Sequence, residues 1–430
     1  MDDPNVLERM RADWNERAGE DANYYVAFGR RDQDEEGFFA TAEPLIRGLE
    51  ADLPRLPGRD AALEIGCGPG RLLRPLSRHF KEIHGVDVSD QMIKLAKERL
   101  RHTPNAFPHH GSGSDLGLFP DEKFDFVYSY AVFQHIPSGE VVFNYLREAR
   151  RVLKTGGILR CQINGLPKDA KQYDTWSGVR ISPDEIRQFT LDQDFQLLTL
   201  EQIHTQYMWI TCQKRPAGWV RSLQTGRPAS TASIRSLSNA LTGESVAPAS
   251  GPASAMSLWI RDLPGECDLN HMAVIVDGVE GRAEYIGVKS NDGVQQVNAR
   301  LPEHVRTGVV PVEVQWLGKP ICPLAWLRII PPGPAVARLI AITDGVNLLL
   351  DHRTQSGSVK VGIVEVPNAD EFRATVDGLD VLDIDAFCAD PLLRRFEFNF
   401  RIPPGLAPGY HVLRLGMGRH DFPPVSLEVV

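Results

Sequence analysis

Ala61-Ala62-Leu63-Glu64-Ile65-Gly66-Cys67-Gly68-Pro69-Gly70-Arg71, followed seventeen residues after Gly70 by Asp87, is the stretch on which the fold turns. An apolar run of strand length meets glycines at three alternate positions, and Arg71 to Phe80 then carries leucines at 72, 73 and 76. That pattern predicts a strand, a tight glycine turn and a helix. Glycine permits positive φ and lets backbone N–H groups come close to a ligand at a helix N-terminus. A dinucleotide fingerprint, G-x-G-x-x-G, would place its third glycine one residue later. Here the spacing is E-x-G-x-G-x-G, and a second strand, Ile83 to Asp87, ends on a carboxylate. The spacing disfavours a dinucleotide-dependent oxidoreductase, which would have to bind NAD. A purely structural glycine turn is the bland alternative.

The motif resembles motif I of the class I S-adenosylmethionine-dependent methyltransferases. That resemblance implies a Rossmann-like α/β sheet, S-adenosyl-L-methionine as cofactor, and an Asp87 carboxylate holding both ribose hydroxyls. Further markers follow in order. Ser89 caps a helix from Asp90 to Leu100 with an apolar face. Gly111-Ser112-Gly113-Ser114-Asp115-Leu116 falls where the family uses an acidic residue for the adenine amino group and an apolar one against the ring. A turn role for Asp115 is the alternative. Phe124 to Tyr128 is a fourth strand, Arg151-Val152-Leu153-Lys154-Thr155-Gly156-Gly157 leads into a fifth, Ile158 to Ile163, and Ser182-Pro183-Asp184-Glu185 makes a capping box. Phe195 to Leu200 and Tyr207 to Gln213 match the family's closing hairpin. The implied cofactor contacts are Glu64, the N–H groups of Gly66, Cys67, Gly68 and Gly70, then Asp87, Val88, Met92, Asp115, Leu116 and Ser129.

Ligands of open α/β sheets bind beyond the carboxyl ends of the strands, so Ser129 to Ile136 should face the transferable methyl. Tyr130 and His135 are the catalytic candidates on that side. His135 has the chemistry of a general base, and equally that of a hydrogen-bonded histidine holding the loop. Residues 1–58 read as helical and, by the resemblance, as a lid from which Tyr25 and Arg30 reach the methionine carboxylate; packing and solvation explain the same residues. Tyr173, Trp176 and Arg180 lie where insertions cover the substrate in many relatives.

At 430 residues with a net charge of −9, the chain has room for several domains and lacks the basic field of a general nucleic-acid binder. Its six cysteines show no C-x-x-C spacing, which suggests neither a zinc site nor a disulfide framework and fits a reducing cytoplasm. There is no apolar leader at the N-terminus, no run of membrane-spanning length and no metal-ligand cluster. After a methyltransferase domain at 59–215, the Ser, Ala, Gly and Pro content of 216–254 predicts a flexible linker. Two all-β sandwich domains, 255–334 and 335–430, then repeat Val-Asp-Gly at 276 and 376, a hundred residues apart. They resemble small immunoglobulin-like modules of the IPT/TIG sort, suited to shielding, dimerisation or binding a glycan or protein. Two functions stand: methyl transfer to an oxygen or nitrogen of a small-molecule or glycan-type acceptor, and a non-catalytic cofactor-binding scaffold whose β modules bind a partner.

Overall fold

The computed structural model describes residues 5–27, 34–168, 173–223, 230–333, 336–346, 349–390 and 393–430. The chain divides into two compact units, Met1–Ala22 with Glu36–Pro332, and Asn23–Glu35 with Gly333–Val430.

In the first unit the apolar runs become β1 (Ala61–Ile65), β2 (Glu82–Asp87), β3 (Ala106–His110), β4 (Phe124–Ser129), β5 (Leu153–Ile163), β6 (Phe195–Glu201) and β7 (Met208–Lys214). They align in the order β3-β2-β1-β4-β5-β7-β6, parallel except for β7, which runs against both neighbours. All five residues of β1 and all six of β4 are buried, as expected for strands covered on both faces. This is a Rossmann-like sheet with a reversed strand near its far edge. The helices are α1 (Val6–Val26), whose last residues from Asn23 group with the second unit, α2 (Glu35–Ala40), which begins on the last residue of that segment, α3 (Glu43–Glu50), α4 (Leu73–Leu76), α5 (Asp90–Arg99), α6 (Gly139–Val152), α7 (Pro183–Asp192) and α8 (Trp219–Ser222). Ser89 and Ser138 cap α5 and α6, and the Ser182–Glu185 capping box on α7 is formed on both sides. The helix expected over Arg71 to Phe80 is cut down to α4 and a following 3₁₀ turn, Ser77–His79; Pro75, inside α4, has no N–H to extend the ladder.

The expected linker is a correction. Residues 224–229 lie outside the described residues, but the rest of 216–254 includes β8 (Ser233–Asn239) and β9 (Val246–Pro248). Polar composition misled because both are peripheral strands whose backbones pair with neighbours. Next come β10 (Ala255–Arg261), β11 (Met272–Val276), β12 (Val279–Ile286), β13 (Val294–Arg300), β14 (Gly308–Trp316), β15 (Lys319–Pro320) and β16 (Ala325–Ile330). One sheet runs β8-β10-β13-β12 and the other β9-β16-β14-β11-β12, with β9 parallel to β16 and β12 serving both.

This β region is not a separate body. Tyr285 of β12 pairs antiparallel with Thr199 of β6. The Leu269 N–H donates to the Leu197 carbonyl at 2.9 Å, Gln196 Nε2 to the Cys267 carbonyl at 2.7 Å, and Arg187 to the Leu269 carbonyl at 2.6 Å. Arg55 Nη2 reaches the Ile286 carbonyl at 2.5 Å. The edge of the seven-stranded sheet is thereby closed by a strand from the following region.

The second unit holds β17 (Arg338–Asp344), β18 (Arg353–Thr354), β19 (Ser358–Val364), β20 (Phe372–Val376), β21 (Leu379–Asp380), β22 (Leu382–Asp390), β23 (Arg395–Arg401), β24 (Gly409–Met417), β25 (His420–Asp421) and β26 (Val425–Val429). Its sheets run β17-β19-β23-β22 and β18-β26-β24-β20-β21, again with a parallel pair, β18 with β26. Phe372, Phe398, Val361 and Leu413 are among the residues of its core. Asp277-Gly278 and Asp377-Gly378 form the two repeated hairpins, with φ of 52° and 81° in the first and 52° and 84° in the second, the geometry of tight two-residue turns.

Candidate functional site

Three β-strands converge on the glycine loop. Gly66, Gly68 and Gly70 have φ of 74°, 49° and 87°. At Gly66 a Cβ would overlap the side chain of Val132, and at Gly70 it would lie 2.9 Å from Leu100 Cδ1. The loop's N–H groups have partners within the protein: Gly66 and Cys67 both donate to the Val86 carbonyl, Gly70 donates to the Cys67 carbonyl, and Gly68 donates to Asp87 Oδ2 at 2.9 Å. What the loop offers a ligand is close approach, with its donors turned onto β2. With α4 only four residues long, a helix dipole adds little.

Asp87 sits at the end of β2, half-buried, with Oδ1 accepting from the Ser89 N–H at 2.9 Å. Both carboxylate oxygens accept from the backbone, and the Val88 N–H adds to that hold. Burial raises its pKa, while the Ser89 and Gly68 N–H groups oppose the rise. Beside it, Val88 is half-buried and its carbonyl lies 3.2 Å from His110 Nε2. Asp115 accepts from Ser112 Oγ at 2.9 Å and from the Gly117 N–H at 2.9 Å, the turn geometry weighed as its alternative. Leu116 is fully buried and its N–H goes to Glu148 Oε2 at 3.2 Å.

Glu64, Cys67, Met92 and Ser129 are likewise buried. Tyr128 Oη donates to Glu64 Oε2 at 3.1 Å, and Ser129 Oγ to the Ile65 carbonyl at 2.9 Å, which ties β4 to β1. Burial holds the Glu64 carboxyl well above the usual range, against the pull of Tyr128 and of the Arg71 charge. The Cys67 thiol is pushed up by burial and then by Asp87 and Glu64. Tyr130 is partly open; its ring stacks on Trp209 at 5.8 Å, and the Arg71 guanidinium lies 5.6 Å from its centroid.

His135 is 7% exposed. Its Nδ1 lies 3.1 Å from the Thr175 carbonyl and so carries the proton, leaving Nε2, 3.3 Å from the Gln134 amide nitrogen, as acceptor. Burial, then the charge of Arg17, lowers its pKa to about 4. The Trp14 ring meets the imidazole edge-on at 5.4 Å.

Helix α1 supplies the residues that sequence reasoning missed. Arg11 pairs with Asp90 at 2.5 Å, and Asn15 Oδ1 accepts from Ser89 Oγ at 2.7 Å, immediately beyond Asp87. Arg17 donates to Thr175, through Nη2 to Oγ1 at 3.1 Å, and its guanidinium lies 4.7 Å from the Trp14 centroid and 5.5 Å from that of Trp176. Thr175 Oγ1 also donates to Asp13. The helix thus spans from the end of β2 to the segment after β5. Tyr145 on α6 is buried, and burial, then the charges of Asp87 and Asp115, raises its pKa. Of the predicted lid residues, Tyr25 falls in the segment that groups with the second unit, edge-on to Tyr24 at 5.1 Å, and Arg30 lies outside the described residues. Trp176 is exposed and Arg180 Nη1 donates to the Pro167 carbonyl at 2.6 Å. Among the described residues no cluster of His, Cys, Asp and Glu could hold a metal ion.

Residues 63–161 match the family model described as "Methyltransferase domain". The chain is 32% identical over 123 residues to a ubiquinone biosynthesis O-methyltransferase of Cereibacter sphaeroides, covering 28% of this chain and 48% of that protein. It is 32% identical over 120 residues to a trans-aconitate 2-methyltransferase of Rhizobium rhizogenes, covering 27% and 43%. A solved structure of Haemonchus contortus phosphoethanolamine N-methyltransferase 1, in complex with phosphoethanolamine and S-adenosylhomocysteine, superposes with a TM-score of 0.38 at 16% identity, covering 54% of this chain and 52% of that one. The chain spans less than half the length of these two curated relatives. Residues 63–161 form a class I methyltransferase domain whose cofactor is S-adenosylmethionine. The glycine cradle and the Asp87 carboxylate at the end of β2 fit that group.

Proposed function

We propose that the chain transfers a methyl group from S-adenosylmethionine to an oxygen or nitrogen of a small-molecule or glycan-type acceptor. The observation that carries this is the Asp87 carboxylate, fixed by the Gly68 and Ser89 N–H groups beside a glycine loop and overlain by α1. Asp87 would take the ribose hydroxyls, Gly66 to Gly70 the close approach of the methionine portion, and Asp115 and Leu116 the adenine side. Bound there, the cofactor supplies an electrophilic methyl on a sulfonium, open to in-line attack. The protein's part is alignment and exclusion of water. Tyr130, backed by Trp209 and Arg71, is proposed as the wall that orients the acceptor. His135 we assign to positioning: with both ring nitrogens engaged and a pKa of about 4, it fastens Thr175 and the loop after β4 under α1.

Lack of a free base among these candidates favours keeping a second reading, a non-catalytic cofactor-binding scaffold. Calorimetric titration with S-adenosylmethionine tests the shared premise, and slow formation of S-adenosylhomocysteine separates the two, since a scaffold would give none. Failure to bind the cofactor would overturn both.

For the remainder, 1–58 is proposed as a lid segment, 59–215 as the catalytic domain, and the two β regions as immunoglobulin-like modules. Strand order supports the last point, with four strands in one sheet and a C-F-G-type sheet opposite, in both repeats. A cytoplasmic location is retained as a proposal; among the described residues no helix is long and apolar enough to cross a membrane.

A further inference from the structure

Tyr130 stands in a row of rings and cations. The Arg71 guanidinium lies 5.6 Å from its centroid, its ring stacks on Trp209 at 5.8 Å, and Arg160 lies 4.9 Å from the Trp209 centroid. The two arginines differ in what balances their charge. Arg160 pairs with Asp52 at 3.0 Å. Arg71 is 6% exposed, yet among the described residues no carboxylate forms an ion pair with it. Its Nη1 donates to Thr41 Oγ1 at 3.1 Å, while its Nε is buried without a partner. Burial pulls the Arg71 pKa down, against Tyr130 and Glu64. Glu64 is a weak counter-charge, because burial holds its carboxyl well above the usual range and Tyr128 Oη already donates to its Oε2. A buried guanidinium with an unsatisfied donor and no counter-charge is costly, and an anionic ligand removes both costs.

We propose that Arg71 anchors a carboxylate carried by the methyl acceptor, so that the substrate class is an anionic small molecule whose body lies against Tyr130. This rests on the methyl-transfer reading and narrows its acceptor. The cofactor's own carboxylate is the poorer occupant. It arrives with an ammonium group and a sulfonium, a net positive charge set beside a cation that is already unbalanced, whereas an anionic acceptor balances both. A guanidinium takes a carboxylate through parallel N–H donors, and the unpartnered Nε is one of them. The anchored carboxylate is a handle that orients the acceptor; the attacking atom lies elsewhere on it, since a nucleophile tied to a guanidinium is weakened.

The probes are benzoate and benzamide, matched in shape and different in charge, titrated by calorimetry into the full chain saturated with S-adenosylhomocysteine. Benzoate is expected to bind about tenfold tighter or more. Arg71→Met should abolish that preference, and Arg71→Lys should keep part of it, having the charge without the fork. Because losing a buried arginine can destabilise the fold, the wild type supplies a second readout. In a chain with isotope-labelled arginine, the Arg71 Nε–H resonance, identified by its absence in Arg71→Lys, should shift with benzoate and stay in place with benzamide. Equal binding of the two probes, a preference that survives Arg71→Met, or an unmoved Nε–H resonance would each overturn the proposal. So would an S-adenosylhomocysteine affinity that falls about tenfold in Arg71→Lys with no benzoate preference in the wild type, which would give the guanidinium to the cofactor. Failure of S-adenosylhomocysteine to bind the wild type would strike the methyl-transfer reading itself and this proposal with it, a result distinct from binding the cofactor product and ignoring benzoate.

Discussion

Asp87 accepts from the backbone through both oxygens and is thereby held in place before any ligand arrives. Asp87→Ala is expected to weaken S-adenosylmethionine binding by more than about 1.4 kcal/mol, a factor of ten, in calorimetry. Gly66→Ala combines a positive φ with overlap onto Val132, and should cost about 2–4 kcal/mol of stability in denaturant unfolding. His135 makes a pH prediction. Burial and Arg17 depress its pKa from 6.5 to about 4, so between those values the unfolded chain takes up a proton that the folded chain refuses. Its contribution is therefore whole above about pH 6.5 and is lost as pH falls toward 4, amounting to about 3 kcal/mol. His135→Gln should flatten unfolding free energy against pH over that window; an unchanged slope would place the titrating group elsewhere. His109, also lowered to about 4 by burial and by His84, adds a slope of the same sign.

At the scale of elements, α1 is bound through pairs at intervals of three or four, Asp13 and Arg17 on Thr175, Trp14 on His135, Arg11 and Asn15 on the start of α5. Arg17→Met would remove two cation–π contacts and two hydrogen bonds to Thr175, with an expected loss of about 1–2 kcal/mol and a lower melting temperature. The sheet strands, the caps at Ser89 and Ser182, and the Val-Asp-Gly repeat were legible in the sequence, because strand periodicity, caps and turns are local physics. The orientation of the loop donors was not, since Gly66 and Cys67 find their acceptor on Val86, across a strand pairing that no local pattern announces. Arg71 and Arg17 went unseen for the same reason: each acquires its role from partners on another element. Polar β8 and β9 hid as a linker, because peripheral strands need less apolar surface than central ones.

In the whole molecule, the Rossmann-like sheet and the first β region are one hydrogen-bonded structure, joined at Thr199 and Tyr285. A fragment ending at residue 332 should therefore unfold in a single transition that added S-adenosylmethionine raises. A fragment ending at residue 215 should be less stable and aggregate, because β6 loses its neighbour and Gln196, Arg187 and Arg55 lose the carbonyls they serve. Equal solubility and melting temperature of the two fragments would count against this coupling. The junction also has a meaning in time. A ribosome adding roughly 5–20 residues per second needs on the order of 4–17 s to travel from Thr199 to Tyr285. For that interval the nascent methyltransferase sheet waits with a bare apolar border, so its yield in the cell depends on translation speed and on whatever chaperone shields β6 until its cover emerges.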